Sequence, residues 1–184
     1  MKRVTIIHGW GMNPGSVWIP WLKKELETKG IYVQTPEMPN TDAPEIEHWV
    51  KELEKNIDEE DDNYLVGHSI GCQTIMRYLE NKPDKIKIKG VLFVAGWLTL
   101  NDVGNPEDEA IAKPWVETPI DLKKIKTKSK FISIFSDDDP YVPEENWKKF
   151  QELGEVIIED KKGHIEGPLP SIIKSIEKLM TTKE

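Results

Sequence analysis

Tyr64-Leu65-Val66-Gly67-His68-Ser69-Ile70-Gly71 carries a short apolar run into a glycine-flanked serine and on into a helical pattern. A strand that turns this abruptly into a helix brings backbone against backbone. A Cβ at position 67 or 71 would collide there, which is the reason for both glycines. The turn thrusts Ser69 into solvent at the carboxyl edge of a sheet. Such a stretch reads as a nucleophile elbow and predicts an α/β fold.

A serine hydroxyl is a weak nucleophile at neutral pH until an imidazole takes its proton, and the imidazole needs a carboxylate to fix its tautomer. The ends of later strands supply both. Phe131-Ile132-Ser133-Ile134-Phe135 runs into Ser136-Asp137-Asp138-Asp139-Pro140-Tyr141-Val142-Pro143, and Val156-Ile157-Ile158 leads through four charged residues to Gly163-His164. Ser69, Asp139 and His164 therefore follow the chain order of the α/β-hydrolases, not that of chymotrypsin or subtilisin. Asp138 is the alternative acid, and three aspartates before a proline also suit a solvated turn.

An oxyanion formed at Ser69 needs two backbone N–H groups aimed at it. Ile70 is one candidate, since it follows the serine at a helix N-terminus, where the N–H is unpaired and the dipole favours negative charge. The other is Trp10, in the loop His8-Gly9-Trp10-Gly11 that follows the strand-like run Val4-Thr5-Ile6-Ile7. His8 ends that run and is expected to organise the loop and border the substrate pocket. His68 sits inside the elbow and His48 in a polar helical stretch, so neither suits a base. Cys72, on the apolar helix face beyond the serine, reads as a small buried residue.

Working outward, strand-like runs occur at 4–7, 31–34, 63–66, 89–95, 131–135 and 155–158, each rich in Val, Ile, Leu or Phe with little polar alternation. Runs of this kind suit a parallel sheet buried on both faces. Helical periodicity separates them: Ile46, Trp49, Val50, Leu53 and Ile57; Cys72, Ile75, Met76 and Leu79; Ile172, Ile173, Ile176, Leu179 and Met180. Val17 to Lys29 ends at Gly30, a fitting residue to stop a helix. The expected architecture is a doubly wound, mostly parallel six-stranded sheet flanked by helices on both faces, a three-layer α/β/α sandwich with ligands beyond the strands' carboxyl ends.

The 184 residues show no linker, repeat or low-complexity tract, so one domain spanning 1–184 is expected. A net charge of −8 argues against nucleic-acid or anionic-membrane partners. Met1-Lys2-Arg3 precedes too short an apolar run for a signal peptide, and a lone cysteine suits a reducing compartment, so a cytoplasmic location is expected. Four scattered histidines and one cysteine offer no metal-ligand spacing, and position 14, where a dinucleotide fingerprint needs its third glycine, is proline. No metal or other cofactor is implied. Of the seven tryptophans, Trp18, Trp21, Trp49 and Trp147 fall on helical faces and should pack in the core. Trp10, Trp97 and Trp115 fall near the carboxyl edge and are candidates to line a pocket. Residues 97–127, without a clear strand, should hold elements that select substrate.

Over roughly residues 2 to 180 the chain resembles the small α/β-hydrolase-fold serine hydrolases of the retinoblastoma-binding-protein-nine and YdeN type. The likeness lies in Trp18-x-x-Trp21-Leu22-Lys23-Lys24-Glu25-Leu26-Glu27, Met38-Pro39, the elbow with Met76-Arg77-Tyr78-Leu79-Glu80, Lys113-Pro114-Trp115, Asp138-Asp139-Pro140-Tyr141-Val142-Pro143 and Gly163-His164. The loop His8-Gly9-Trp10-Gly11 is closer to that of broader esterases. The resemblance implies a stripped hydrolase fold without two leading antiparallel strands, little lid, and a triad of Ser69, Asp139 and His164. The expected reaction is hydrolysis of a carboxylic ester or activated amide of a small molecule through an acyl-enzyme on Ser69. A binding protein on a hydrolase scaffold, or a thioesterase or aminopeptidase-like enzyme, is the alternative.

Overall fold

Side chains of a buried strand alternate between two faces, so a run apolar at every position must be covered on both sides. The computed structural model, which describes residues 1–101 and 103–181, shows how this chain does it. In chain order the elements are β1 (Lys2–Ile7), α1 (Ile19–Glu27), β2 (Tyr32–Gln34), α2 (Ile46–Lys55), β3 (Asp62–His68), α3 (Ile70–Asn81), β4 (Ile88–Val94), α4 (Pro106–Glu117), α5 (Leu122–Lys126), β5 (Phe131–Ser136), α6 (Glu145–Gln151), β6 (Glu155–Glu159) and α7 (Pro170–Thr181). The strands lie in the order β2-β1-β3-β4-β5-β6, and each adjacent pair is parallel.

Strand parity assigns the layers. Val4, Ile6, Val66, Leu92, Val94, Ile132 and Ile134 face one side, where Ile19, Leu22 and Leu26 of α1 and Ile172 and Ile176 of α7 cover them. Ile7, Leu65, Val91, Phe93, Phe131 and Phe135 face the other, under Trp49 and Leu53 of α2, Ile75 and Leu79 of α3, and Phe150 of α6. The result is the expected three-layer sandwich. All six expected strands form, but β2 and β6 are edge strands and only partly buried, which corrects the reading that every run is covered on both faces.

The segment 97–127 holds two helices rather than loop alone. Trp115 of α4 is buried at 1% exposure and donates from Nε1 to Pro44 O at 2.9 Å, with its ring edge-on to Trp49. Arg77 of α3 reaches across to Trp115 O (2.8 Å) and Thr118 O (3.0 Å), so the C-terminal end of α4 is pinned to the body. Trp115 is thus a core residue, not a pocket wall as expected from its position. Among the described residues no helix is long and apolar enough to cross a membrane.

Candidate active site

Ser69 sits between β3 and α3 with φ 53° and ψ −119°, a conformation an L-residue adopts only when its surroundings impose it. The glycines on either side show what imposes it. A Cβ on Gly67 would lie 2.7 Å from Cys72 N, and one on Gly71 only 2.4 Å from Ile7 O. Both obstacles are backbone. The sharp turn therefore exists because β1, β3 and the first turn of α3 meet at van der Waals limits, and it delivers Ser69 to the carboxyl edge of the sheet.

The three aspartates after β5 divide between two tasks. Asp137 accepts from Lys161 N (2.8 Å) and Asp138 from Gly163 N (2.7 Å) and the Ser136 hydroxyl (2.8 Å). These two fasten the loop that carries His164. The backbone bond from Gly163, followed by that from Ser136, holds the Asp138 carboxyl below the usual carboxylate range. Asp139 turns the other way, and its Oδ2 meets His164 Nδ1 at 2.8 Å, while Oδ1 accepts from Tyr141 N (2.9 Å) and Val142 N (3.2 Å). Its side chain is 2% exposed and that of His164 10%. This is a shielded carboxylate–imidazole pair with both carboxylate oxygens engaged.

Ser69 and His164 line one cleft of about 340 Å³, together with Trp10, Ile70 and Trp97. Ser69 Oγ accepts a hydrogen bond from Trp97 Nε1 at 3.3 Å and makes none to the His164 ring. Ile70 is the first residue of α3, where helix geometry supplies no intrahelical acceptor for its N–H. In the β1 loop, Gly11 N goes to Thr41 O (2.8 Å) and Met12 N to Gly9 O (3.3 Å), leaving Trp10 N without a backbone acceptor among the described residues. Trp10 is held by its indole, which donates to Asp42 O at 3.0 Å. Asn146 of α6, fully buried, shapes the wall that follows Trp97, accepting from Leu98 N (2.7 Å) and Thr99 N (3.1 Å) and donating to Thr99 O (3.0 Å).

His8 does not border the cleft. It is 1% exposed, its Nδ1 bonds Gly9 O at 2.8 Å, and Nε2 accepts from Met38 N at 3.0 Å. Burial lowers its pKa, so it is a neutral ring bracing the β1 loop against the segment after β2. It lies one residue beyond β1 and packs edge-on against Trp49 of α2 at 5.5 Å, a contact that position at a strand end does not convey. Cys72 is fully buried, with Sγ directed to Val94 O at 3.5 Å, and burial pushes its thiol pKa up, so it is inert. Further cleft residues, Met12, Leu100, Val103, Asp108, Tyr141 and Glu166, have no signal in the sequence beyond proximity to the motifs.

His68 has a structural task that the elbow motif does not announce. Its ring, fully buried, bonds His164 O through Nε2 at 3.0 Å, while Nδ1 has no hydrogen-bond partner among the described residues and packs near Gly9. The residue before the serine thereby ties the elbow to the histidine loop. Burial, with the nearby His164, pushes its pKa down from 6.5 to about 3. The unfolded chain binds a proton that the folded one refuses across that interval, so this share of stability is complete above pH 6.5 and lost as pH falls toward 3. His68→Gln, which can keep a donor toward His164 O, is expected to retain most turnover and to show a shallower fall of melting temperature with acid. His68→Ala should lower kcat about tenfold or more with little change in KM. Steady-state kinetics and melts at several pH values check both.

A parallel doubly wound sheet with a strained serine at a strand-to-helix elbow, above an aspartate–histidine pair in one cleft, defines a hydrolase of the α/β-hydrolase fold. The chain belongs to the serine hydrolase family, whose sequence profile matches residues 4–168. It is 33% identical to Bacillus subtilis YdeN over 144 residues, 77% of this chain and 73% of that one. The crystal structure of the ydeN gene product matches at a TM-score of 0.85 with 26% identity, covering 99% of this chain and 100% of that one. The serine hydrolase RBBP9 of Rattus norvegicus is 27% identical over 143 residues, 75% of this chain and 69% of its own. A monoacylglycerol lipase from Paleococcus ferrophilus shares the fold, with a TM-score of 0.74 at 19% identity over 97% of this chain and 94% of that one.

Proposed function

We propose that the chain hydrolyses a carboxylic ester or activated amide of a small molecule, with Ser69 as nucleophile, His164 as base and then acid, and Asp139 as the group that orients His164. The observation that carries this reading is the shielded Asp139–His164 pair at 2.8 Å beside the cleft that Ser69 enters. Asp139 on Nδ1 keeps the proton there, which leaves Nε2 free to accept from the serine.

When substrate fills the cleft, Ser69 Oγ leaves Trp97 and engages His164, since apo catalytic hydrogen bonds commonly tighten only in the complex. Oγ attacks the carbonyl carbon as its proton passes to His164 Nε2. The oxyanion takes the N–H groups of Ile70 and Trp10, which are preorganised and need no rearrangement as charge develops. The carbonyl re-forms, the bond to the leaving group breaks, and His164 returns the proton to that group. Water then repeats the sequence on the acyl-enzyme and releases the acid.

A fluorophosphonate probe is expected to label wild-type protein at Ser69, and Ser69→Ala to abolish both labelling and turnover of a short-chain aryl ester. Peptide mass spectrometry locates the adduct. Wild-type protein that folds normally and stays unlabelled supports the second reading instead, a binding protein on a hydrolase scaffold. A parallel screen of ester, thioester and aminoacyl-arylamide substrates identifies the bond.

A further inference from the structure

We propose that the cleft selects a substrate whose leaving group carries a positive charge, such as the ester of an amino alcohol or a quaternary ammonium alcohol, an inference that rests on the hydrolase reading above. Two carboxylates, Asp108 and Glu166, line the cleft beside Ser69 and His164, and among the described residues no lysine or arginine does. The rest of the wall is apolar and aromatic, including Trp10, Trp97 and Tyr141. Aromatic rings and carboxylates that converge without a competing cation form the chemistry that recognises an ammonium group, the rings through their negative faces and the carboxylates through their field.

The geometry also assigns the charge to one half of the substrate. His164 gives its proton to the departing oxygen, so the leaving group must depart on the imidazole side. Glu166 lies two residues beyond His164 on the same loop, and Tyr141, 44% exposed, sets its ring perpendicular to that of His164 at 5.2 Å. Both flank the exit. Asp108, in the first turn of α4, accepts from Asn105 at 2.6 Å, which holds its carboxylate where α4 lines the cleft. An anionic leaving group would meet repulsion from both, and a neutral one would gain nothing from either.

Two phosphonylating agents that share one phosphonyl group test this directly, one with a thiocholine leaving group and one with its neutral 3,3-dimethylbutyl thiol isostere. In each, Ser69 Oγ bonds to phosphorus as its proton passes to His164 Nε2, the P–S bond breaks, and the thiolate departs with its electron pair. The cationic agent is expected to phosphonylate Ser69 about five- to tenfold faster, with the ratio falling as salt screens the carboxylates. In the double variant Asp108→Asn, Glu166→Gln the ratio should fall by about twofold or more and lose its dependence on salt, leaving only the share that the rings supply. Reading a ratio within each protein cancels any general loss caused by the substitutions. Equal rates in the wild type, or a ratio and salt dependence unchanged in the double variant, overturn the proposal and leave the hydrolase reading intact. So does labelling by a small fluorophosphonate when neither thiol agent reacts. If no agent labels Ser69, both readings fall together.

Discussion

Asp139→Asn is expected to lower kcat about 10⁴-fold, whereas Asp138→Asn, one residue away, should stay within about tenfold of the wild type. The difference follows from what each carboxylate accepts. In Asp139 one oxygen takes the N–H groups of Tyr141 and Val142 and the other faces His164 Nδ1. An asparagine there would keep its carbonyl oxygen on the two backbone donors and turn its NH2 toward Nδ1. That nitrogen would then have to accept, moving the ring proton to Nε2, where it can no longer take the proton of Ser69. The side chain is almost fully shielded, so no water supplies the missing acceptor. At Asp138, by contrast, a single oxygen accepts from Gly163 N and the Ser136 hydroxyl, and the amide oxygen of asparagine can do the same. Turnover of an aryl ester, together with the rate of fluorophosphonate labelling, separates the two. A larger loss in the Asp138 variant would reverse the assignment.

The sequence made this neighbourhood legible in part, and the physical reason for the boundary is clear. Strands buried from both sides declare themselves by composition, and the elbow declares itself because its glycines are forced by backbone contact. Chain order then put forward Asp139 and His164 as the candidate acid and base. The division of labour among Asp137, Asp138 and Asp139 was not legible, because the loop they fasten lies more than twenty residues away in sequence. His8 and Trp115 depart from the expectation of pocket walls for a related reason. Lying near the carboxyl edge says that a residue is near the cleft, but not whether its side chain turns toward the cleft or into the layer beneath, and both turn into the layer beneath. The helix α4 was hidden by its prolines, Pro106 at the start and Pro114 within, and by having only Ala112 and Trp115 buried. In the seven residues of α6, only Asn146 and Phe150 are buried, too few to mark a period. What escaped the sequence is therefore the set of elements held by a few specific contacts rather than by a repeating face.

Gly71→Ala should add one of the most damaging single methyls to this protein, costing about 3 kcal/mol or more of stability and removing Ser69 from reaction. Position 71 lies in the first turn of α3, where alanine ordinarily favours a helix, so propensity alone predicts a gain of up to about 1 kcal/mol. Packing decides against it. The new Cβ would stand 2.4 Å from Ile7 O and 2.8 Å from His8 O, main-chain atoms at and just beyond the end of β1, where Ile7 is in register with Gly67 of β3. Neither can move without shifting α3 away from the sheet, and α3 carries the Ile70 N–H proposed for the oxyanion. The same displacement would release the backbone constraint that holds Ser69 at φ 53°. Gly167→Ala is the matched control, since a Cβ there meets nothing within 4 Å and its φ is not positive. That variant should melt within a few degrees of the wild type and label normally. Thermal melts and fluorophosphonate labelling of the two variants side by side give the result, and a Gly71→Ala protein as stable and as reactive as Gly167→Ala would mean that the elbow is not held by contact between β1 and α3.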